Sequence, residues 1–463
     1  RKKKKNALKG KGGLVMAGLV GLVGGLFFIE QKAPPPRDID ENPLVSEYVH
    51  LRSPDVTRVE LKRPAGGFTL VKKDGKWAFE APGRYRADTD EVNSWLESIL
   101  EDANVDRPVE STPGSLSDYG LDKPTLELVL TGKGQTRTLQ IGKEFSAPGT
   151  SSPLHYAREP KDGRMFMLSA SQLESIRDKK VDDLRDKSLI AFGETKDVKQ
   201  VTLVRGDKTV EVRREGDRWR ITQPFTAPAD RMSVESDLIG QLKSSESESF
   251  ADDAATDLAK YGLDKPKLTI RVTDNQGIHA VHFGKTVEDG KVYAVRDGEK
   301  EVTLVSKVTF DNLNKQATDL RDRQLLSLDR DKITTVELKN TRGTTKLQKT
   351  GDGKWNVVTT DGKSKPAKGD VVDRVLDSIV GSASKHVEEA PKDLAKYGLV
   401  DPAITVTANE GTGTSQVLTI SKKLKDTYYA KGPGTAVFEV QPYVVTDLDV
   451  APAAFEEEDA KKK

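Results

Sequence analysis

Cysteine is absent from the 463 residues. That excludes disulfides, thiolate metal centres and attachment through a lipid-modified N-terminal cysteine. Histidine is nearly as scarce, with only His50, His155, His279, His282 and His386. His279 and His282 stand three apart on an expected strand, so they face opposite sides, and no third ligand accompanies them. No Gly-x-Ser-x-Gly elbow occurs. Gly284-Lys285-Thr286 and Gly362-Lys363-Ser364 imitate the end of a phosphate-binding loop, but His279 and Val357 occupy the place of its first glycine. Carboxylates are plentiful, yet no pair is singled out for acid–base work. The chain therefore reads as non-enzymatic, with no catalytic, cofactor or metal residue to assign. Excess charge of either sign is missing too: the net charge is +1, and beyond Lys11 the balance is 67 basic to 73 acidic residues. Nucleic acid, which demands a basic footprint, is excluded on that ground.

Long hydrophobic runs are equally rare, and only one is evident. Residues 12–29 are 18 consecutive uncharged residues. As a helix they reach roughly 27 Å, just enough for a bilayer core of about 30 Å. Seven cations (Arg1, Lys2, Lys3, Lys4, Lys5, Lys9 and Lys11) precede the run, whereas Glu30, Gln31 and Lys32 follow it. Positive charge stays cytoplasmic, so residues 1–11 read as a cytoplasmic segment, 12–29 as a transmembrane helix and 30–46 as a linker, with the remainder outside the cytoplasm. A cleaved signal peptide is the rival reading; its apolar region is shorter and ends in a small-x-small site. Gly13, Ala17, Gly21 and Gly25 fall four apart and form a small-residue ridge on one helix face. Such a ridge lets another transmembrane helix approach closely; a Gly-rich composition alone would also produce it.

What the chain has in place of chemistry is repetition. Asp118-Tyr119-Gly120-Leu121-Asp122-Lys123-Pro124 recurs as Lys260-Tyr261-Gly262-Leu263-Asp264-Lys265-Pro266 and as Lys396-Tyr397-Gly398-Leu399-Val400-Asp401-Pro402. Trp77, Trp219 and Trp355 each stand 42 residues before the tyrosine. Tandem copies of one module follow, with expected spans 47–190, 191–327 and 328–455 and a charged, disordered tail at 456–463. Leu184-Arg185-Asp186 and Leu320-Arg321-Asp322 close the first two copies; the third shows no such ending.

Each copy opens on alternating strands, such as Val56 to Leu61, and turns at Asp74-Gly75, Gly216-Asp217 or Asp352-Gly353 into the Trp strand. The three tryptophans read as core anchors, with a surface ligand platform as the alternative. An amphipathic helix follows, over Asp88–Ala103, Ser233–Leu242 and Asp370–Ile379. The Tyr-Gly-Leu element reads as a helix stop: glycine in the left-handed conformation, and an apolar pair such as Leu116 with Leu121 closing a Schellman cap. More strands and a short helix complete the copy. The fold class is α+β: three tandem antiparallel-sheet-plus-helix modules after one N-terminal transmembrane helix.

The order of Trp strand, helix, Tyr-Gly-Leu-x-x-Pro and Ile141-Gly142-Lys143 resembles the bacterial family called domain of unknown function 4340, over roughly residues 47–455. The third copy departs from it at Val400 and Ser421. The resemblance implies a membrane-anchored auxiliary component accompanying ABC-2-type or gliding-motility-like transporters, and it supplies no catalytic residues. On that basis the expected partners are integral membrane transporter subunits, with self-association possible. The expected location is the bacterial inner membrane, single-pass, with the modules periplasmic. The alternative is an envelope glycan- or peptide-binding module working without a transporter.

Overall fold

The computed structural model describes residues 43–109, 114–146, 153–358, 362–411, 413 and 415–457. It contains three antiparallel sheets with few helices, and it divides between Asp186 and Lys187 into two compact units. The first unit holds an eight-stranded sheet, and the second holds two nine-stranded sheets. The expected transmembrane segment, with Gly13, Ala17, Gly21 and Gly25, lies outside the described residues. Among those described, no helix is long and apolar enough to cross a membrane.

In the first unit, two meanders join at their first strands. Val56–Lys62 pairs with Phe68–Lys73 on one side and with Leu126–Gly132 on the other. Lys76–Ala81 extends the first meander; Gln135–Phe145, Leu154–Arg158 and Met165–Ser169 extend the second. Alternation makes one face apolar: Val59, Leu61, Leu70, Leu128 and Leu130 are all buried. The helix Thr89–Leu100 covers it with Val92, Trp95, Leu96, Ile99 and Leu100. Asp88 starts that helix by accepting hydrogen bonds from the amides of Asp90 (2.9 Å) and Glu91 (3.0 Å).

The helix also transfers the chain between sheet edges. After it, a short strand, Arg107–Val109, pairs with Met165–Ser169 at the far edge. Its counterparts are Ser249–Asp252 and Lys385–Glu388. None of these three strands was legible as a strand pattern, because each is only three or four residues long.

The turns differ in kind. Asp74 and Gly75 both have positive φ (51° and 80°), so Lys73 and Lys76 face each other across a tight two-residue hairpin. In the third module Lys349 pairs with Trp355 instead, and the loop between them is five residues long.

The second-module helix runs from Arg231 to Ser244 but contains a π-helical turn at Glu235–Gly240. The third-module helix is Gly369–Val380.

The third module does keep its ending. In the first two, the amide of Asp88 donates to Leu184 O (2.9 Å) and that of Asp230 to Leu320 O (2.8 Å). In the third, Lys368 donates to Phe455 O (2.8 Å), and Glu456 bridges Ala367 as Arg185 bridges Ala87 and Arg321 bridges Ala229. Phe455-Glu456-Glu457 therefore replaces Leu-Arg-Asp, with Phe455 fully buried. Side-chain identity changed while backbone pairing did not, so the sequence hid the equivalence. The same bonds correct the expected disorder of the tail at Glu456, whose carboxylate also meets Lys365 at 2.6 Å.

Candidate functional site

The recurrent motif forms a knuckle on each sheet. In the second module Leu258–Tyr261 makes one 3-10 turn, started by Asp257, whose carboxylate accepts from the Ala259 amide. Gly262 has φ 67° and ψ 26°. The Leu263 amide donates to Leu258 O (2.9 Å) and the Gly262 amide to Ala259 O (3.0 Å), which is the Schellman pair. Gly120 and Gly398 carry φ of 67° and 65° with the same two bonds. What is stopped is a single turn, separated from the amphipathic helix by the short edge strand.

The knuckle is pressed onto the sheet. A Cβ on Gly284 would sit 2.2 Å from Tyr261 O, and one on Gly142 would sit 2.2 Å from Tyr119 O. The third module has Ser421 there, buried, and its Oγ accepts from the Tyr429 amide at 3.0 Å.

Each motif tyrosine meets a second tyrosine edge-on: Tyr119 with Tyr156 and Tyr261 with Tyr293 at 4.9 Å, and Tyr397 with Tyr429 at 5.1 Å. Tyr261 donates its hydroxyl to Asp252 (2.6 Å), and Tyr397 donates to Glu388. These bonds hold both carboxyls below their ordinary pKa and push both phenols up. A phenol so held keeps its proton and is a poor nucleophile. The arrangement fastens the edge strand to the knuckle.

The motif leucines also sit inward. Leu121, Leu263 and Leu399 are buried. So are Trp77 and Trp219, each 2% exposed. The Trp77 indole donates to Asn93 (2.9 Å) under the Lys72 ammonium, and Trp219 donates to Glu235 (3.1 Å) under the Arg214 guanidinium. In the third module the strand partner of the tryptophan is Lys349, whose ammonium donates instead to Asp331 O (2.7 Å). Trp355 is 9% exposed, and among the described residues its indole has neither a hydrogen-bond partner nor a cation over it. It opens onto a cleft of about 650 Å³ lined also by Arg330, Lys349, Asp352, Asp373 and Glu457.

The junction of the second and third modules was not foreseen. Asp322 N–H donates to Pro228 O in the second module, and the next residue, Arg323, accepts at its carbonyl from Ala383 in the third. Arg321, 7% exposed, reaches across to Glu389, with Nε 3.0 Å from Oε2. His386 Nε2 lies 3.1 Å from the same oxygen, stacks on Phe225 and meets Phe438 edge-on. Leu320-Arg321-Asp322 was visible only as a repeated ending. Its partner Glu389 lies 68 residues on and carries no pattern of its own.

The histidine pair remains apart. His279 meets Asp274 (3.1 Å), while His282 lies between Thr269 and Asp297. Among the described residues no group of three or more potential ligands could hold a metal. Gly284-Lys285-Thr286 ends the strand Ile278–Thr286 and opens no helix.

The family model described as Domain of unknown function (DUF4340) matches residues 77–220, 219–381 and 358–461. The chain belongs to the DUF4340 family. The first two matches begin at or beside Trp77 and Trp219, so they run out of phase with the sheets, whose first strands start upstream of the tryptophan. A repeat permits this, since its period is independent of where counting starts. No curated protein matches the chain.

Proposed function

We propose that this DUF4340 chain is a membrane-anchored, extracytoplasmic scaffold subunit of an ABC-2-type, gliding-motility-like transport complex, and that it is non-catalytic. Residues 12–29 would cross the inner membrane once, with the N-terminus cytoplasmic and the modules periplasmic. The observation that carries the scaffold reading is the junction: the second and third modules meet with no linker, through an ion pair between buried Arg321 and half-buried Glu389. Such a pair is expensive to desolvate and serves geometry better than stability. A scaffold that holds partner surfaces at a fixed spacing benefits from that; an enzyme confined to one module does not. The transporter partner rests on the family resemblance and on the small-residue ridge Gly13, Ala17, Gly21 and Gly25.

Crosslinking in native membranes followed by mass spectrometry tests this. Permease subunits should be recovered with the chain. Recovery of none, with crosslinks confined to other copies of the chain, would defeat the transporter reading.

The second reading, an envelope glycan- or peptide-binding module, draws on the Trp355 cleft. It predicts that the detergent-solubilised full chain retains glycan fragments or envelope peptides without any permease, and that Trp355→Leu releases them.

A further inference from the structure

A cavity of about 400 Å³ lies in the first module, lined mainly by apolar atoms and including Thr125, Leu126, Ile141, His155 and Leu173. Ligand sites commonly occupy about 300–1,000 Å³. The second module shows what the same place holds when it is filled. Thr125 and Lys267 correspond, because their amides donate to Ile141 O (2.8 Å) and Phe283 O (2.9 Å). Leu173 and Phe310 correspond, each standing four residues after the capping serine, Ser169 or Ser306, of the terminal helix. His155 and Val292 each precede the second tyrosine of the knuckle pair.

In the second module the Phe283 and Phe310 rings meet edge-on at 5.5 Å, and the Lys267 ammonium sits 4.2 Å from the Phe310 ring centre. Val292 is buried beside them. The module thus fills the space with its own phenyl groups. In the first module, isoleucine, leucine and threonine replace the two phenylalanines and the lysine, and each is smaller. The one polar residue that replaces an apolar one is His155, in the place of Val292. Its Nδ1 is buried without a partner, and no hydrogen bond to either ring nitrogen occurs among the described residues. Leaving a buried polar group unpaired is costly, and the second module shows that the fold does not require one there.

We propose that this cavity is a binding site for a small phenol: an aromatic ring in the volume that a phenyl group takes in the second module, and a hydroxyl for the His155 imidazole. Apolar cavities as small as about 150 Å³ take up benzene, so the ring alone has room, and the imidazole adds selection for the hydroxylated ligand. The site is independent of the scaffold reading.

The test uses the detergent-solubilised full chain with 4-fluorophenol and fluorobenzene as probes, followed by fluorine NMR. Saturable binding of 4-fluorophenol is expected. Leu173→Phe and, separately, Thr125→Lys copy the second module and should abolish it with thermal unfolding unchanged. His155→Val should weaken 4-fluorophenol about fivefold, the size of one hydrogen bond, and leave fluorobenzene unaffected. Phe310→Leu combined with Lys267→Thr should open a second, weaker site. Binding that survives both cavity-filling variants, or no saturable binding by the wild-type chain, overturns the proposal. An equal loss of both probes in His155→Val overturns the hydroxyl's role.

Discussion

Three glycines of the second module separate backbone strain from steric contact. Gly298 has φ 74° and open space around its missing Cβ. Gly262 has nearly the same φ, 67°, but its Cβ would meet the Lys285 backbone nitrogen at 3.1 Å. Gly284 lies outside the left-handed region, yet its Cβ would lie 2.2 Å from the carbonyl oxygen of Tyr261. Gly298→Ala should therefore cost only the left-handed penalty, about 1–2 kcal/mol. Gly262→Ala carries the same strain plus a tight contact that the strand must relieve, and should cost roughly 1 kcal/mol more. Gly284→Ala cannot be accommodated without lifting the knuckle. The losses then include the Tyr261–Asp252 hydrogen bond and the Tyr261–Tyr293 contact. Overpacking costs typically about 1–3 kcal/mol and occasionally more, so roughly 2–4 kcal/mol is expected for a contact this short. Hydrogen exchange of the Leu263 amide, bonded to Leu258 O, measures this locally and does not require the whole chain to unfold in one step. Tenfold in protection corresponds to about 1.4 kcal/mol, so Gly284→Ala should lose between one and a half and three decades, more than either other variant. If Gly284→Ala leaves Leu263 protected to within threefold, the strand does not hold the knuckle and the reasoning fails.

Burial holds the His386 pKa below its ordinary 6.5, against the pull of Glu389. As pH falls the unfolded chain binds this proton first. The stability contributed by the neutral imidazole is present above about 6.5 and is lost as pH drops from there through the lower folded value. Protection of the Leu325 and Ala383 amides, corrected for intrinsic exchange, should fall over that window, and His386→Phe should flatten the profile; a flat wild-type profile removes His386 from the junction's energetics. Arg321→Ala removes the guanidinium from half-buried Glu389, which keeps its His386 and Thr435 contacts, and should weaken the junction by about 1–3 kcal/mol, measured as faster exchange at Ala383 while the first-module amides are unchanged. Replacing Ala17 and Gly21 with leucine keeps the segment apolar but holds a neighbouring helix away; membrane fractionation should persist while copurifying transporter subunits are lost, and complexes identical to wild type would make the ridge a matter of composition.

The period was legible because tryptophan and tyrosine are rare and their spacing is rigid. The helix Thr89–Leu100 was legible because five apolar residues recur at helical spacing, and the knuckle because glycine adopts positive φ at the least steric cost. The short edge strands carried too few residues for an alternation to register. Their place is fixed by pairing with Met165–Ser169, Val302–Val305 and Val437–Val440, strands that follow tens of residues later.

Local spacing and chain chemistry thus dictated the modules, their number and the glycine positions, since those follow from contacts between residues near in sequence. Pairing across long separations settled the rest. It joined Arg321 to Glu389, set Phe455 in the place of Leu184 and Leu320, and left space beside His155 where Phe310 fills the second module. Each of these depends on which distant side chains share a volume, and one-dimensional periodicity does not encode a volume.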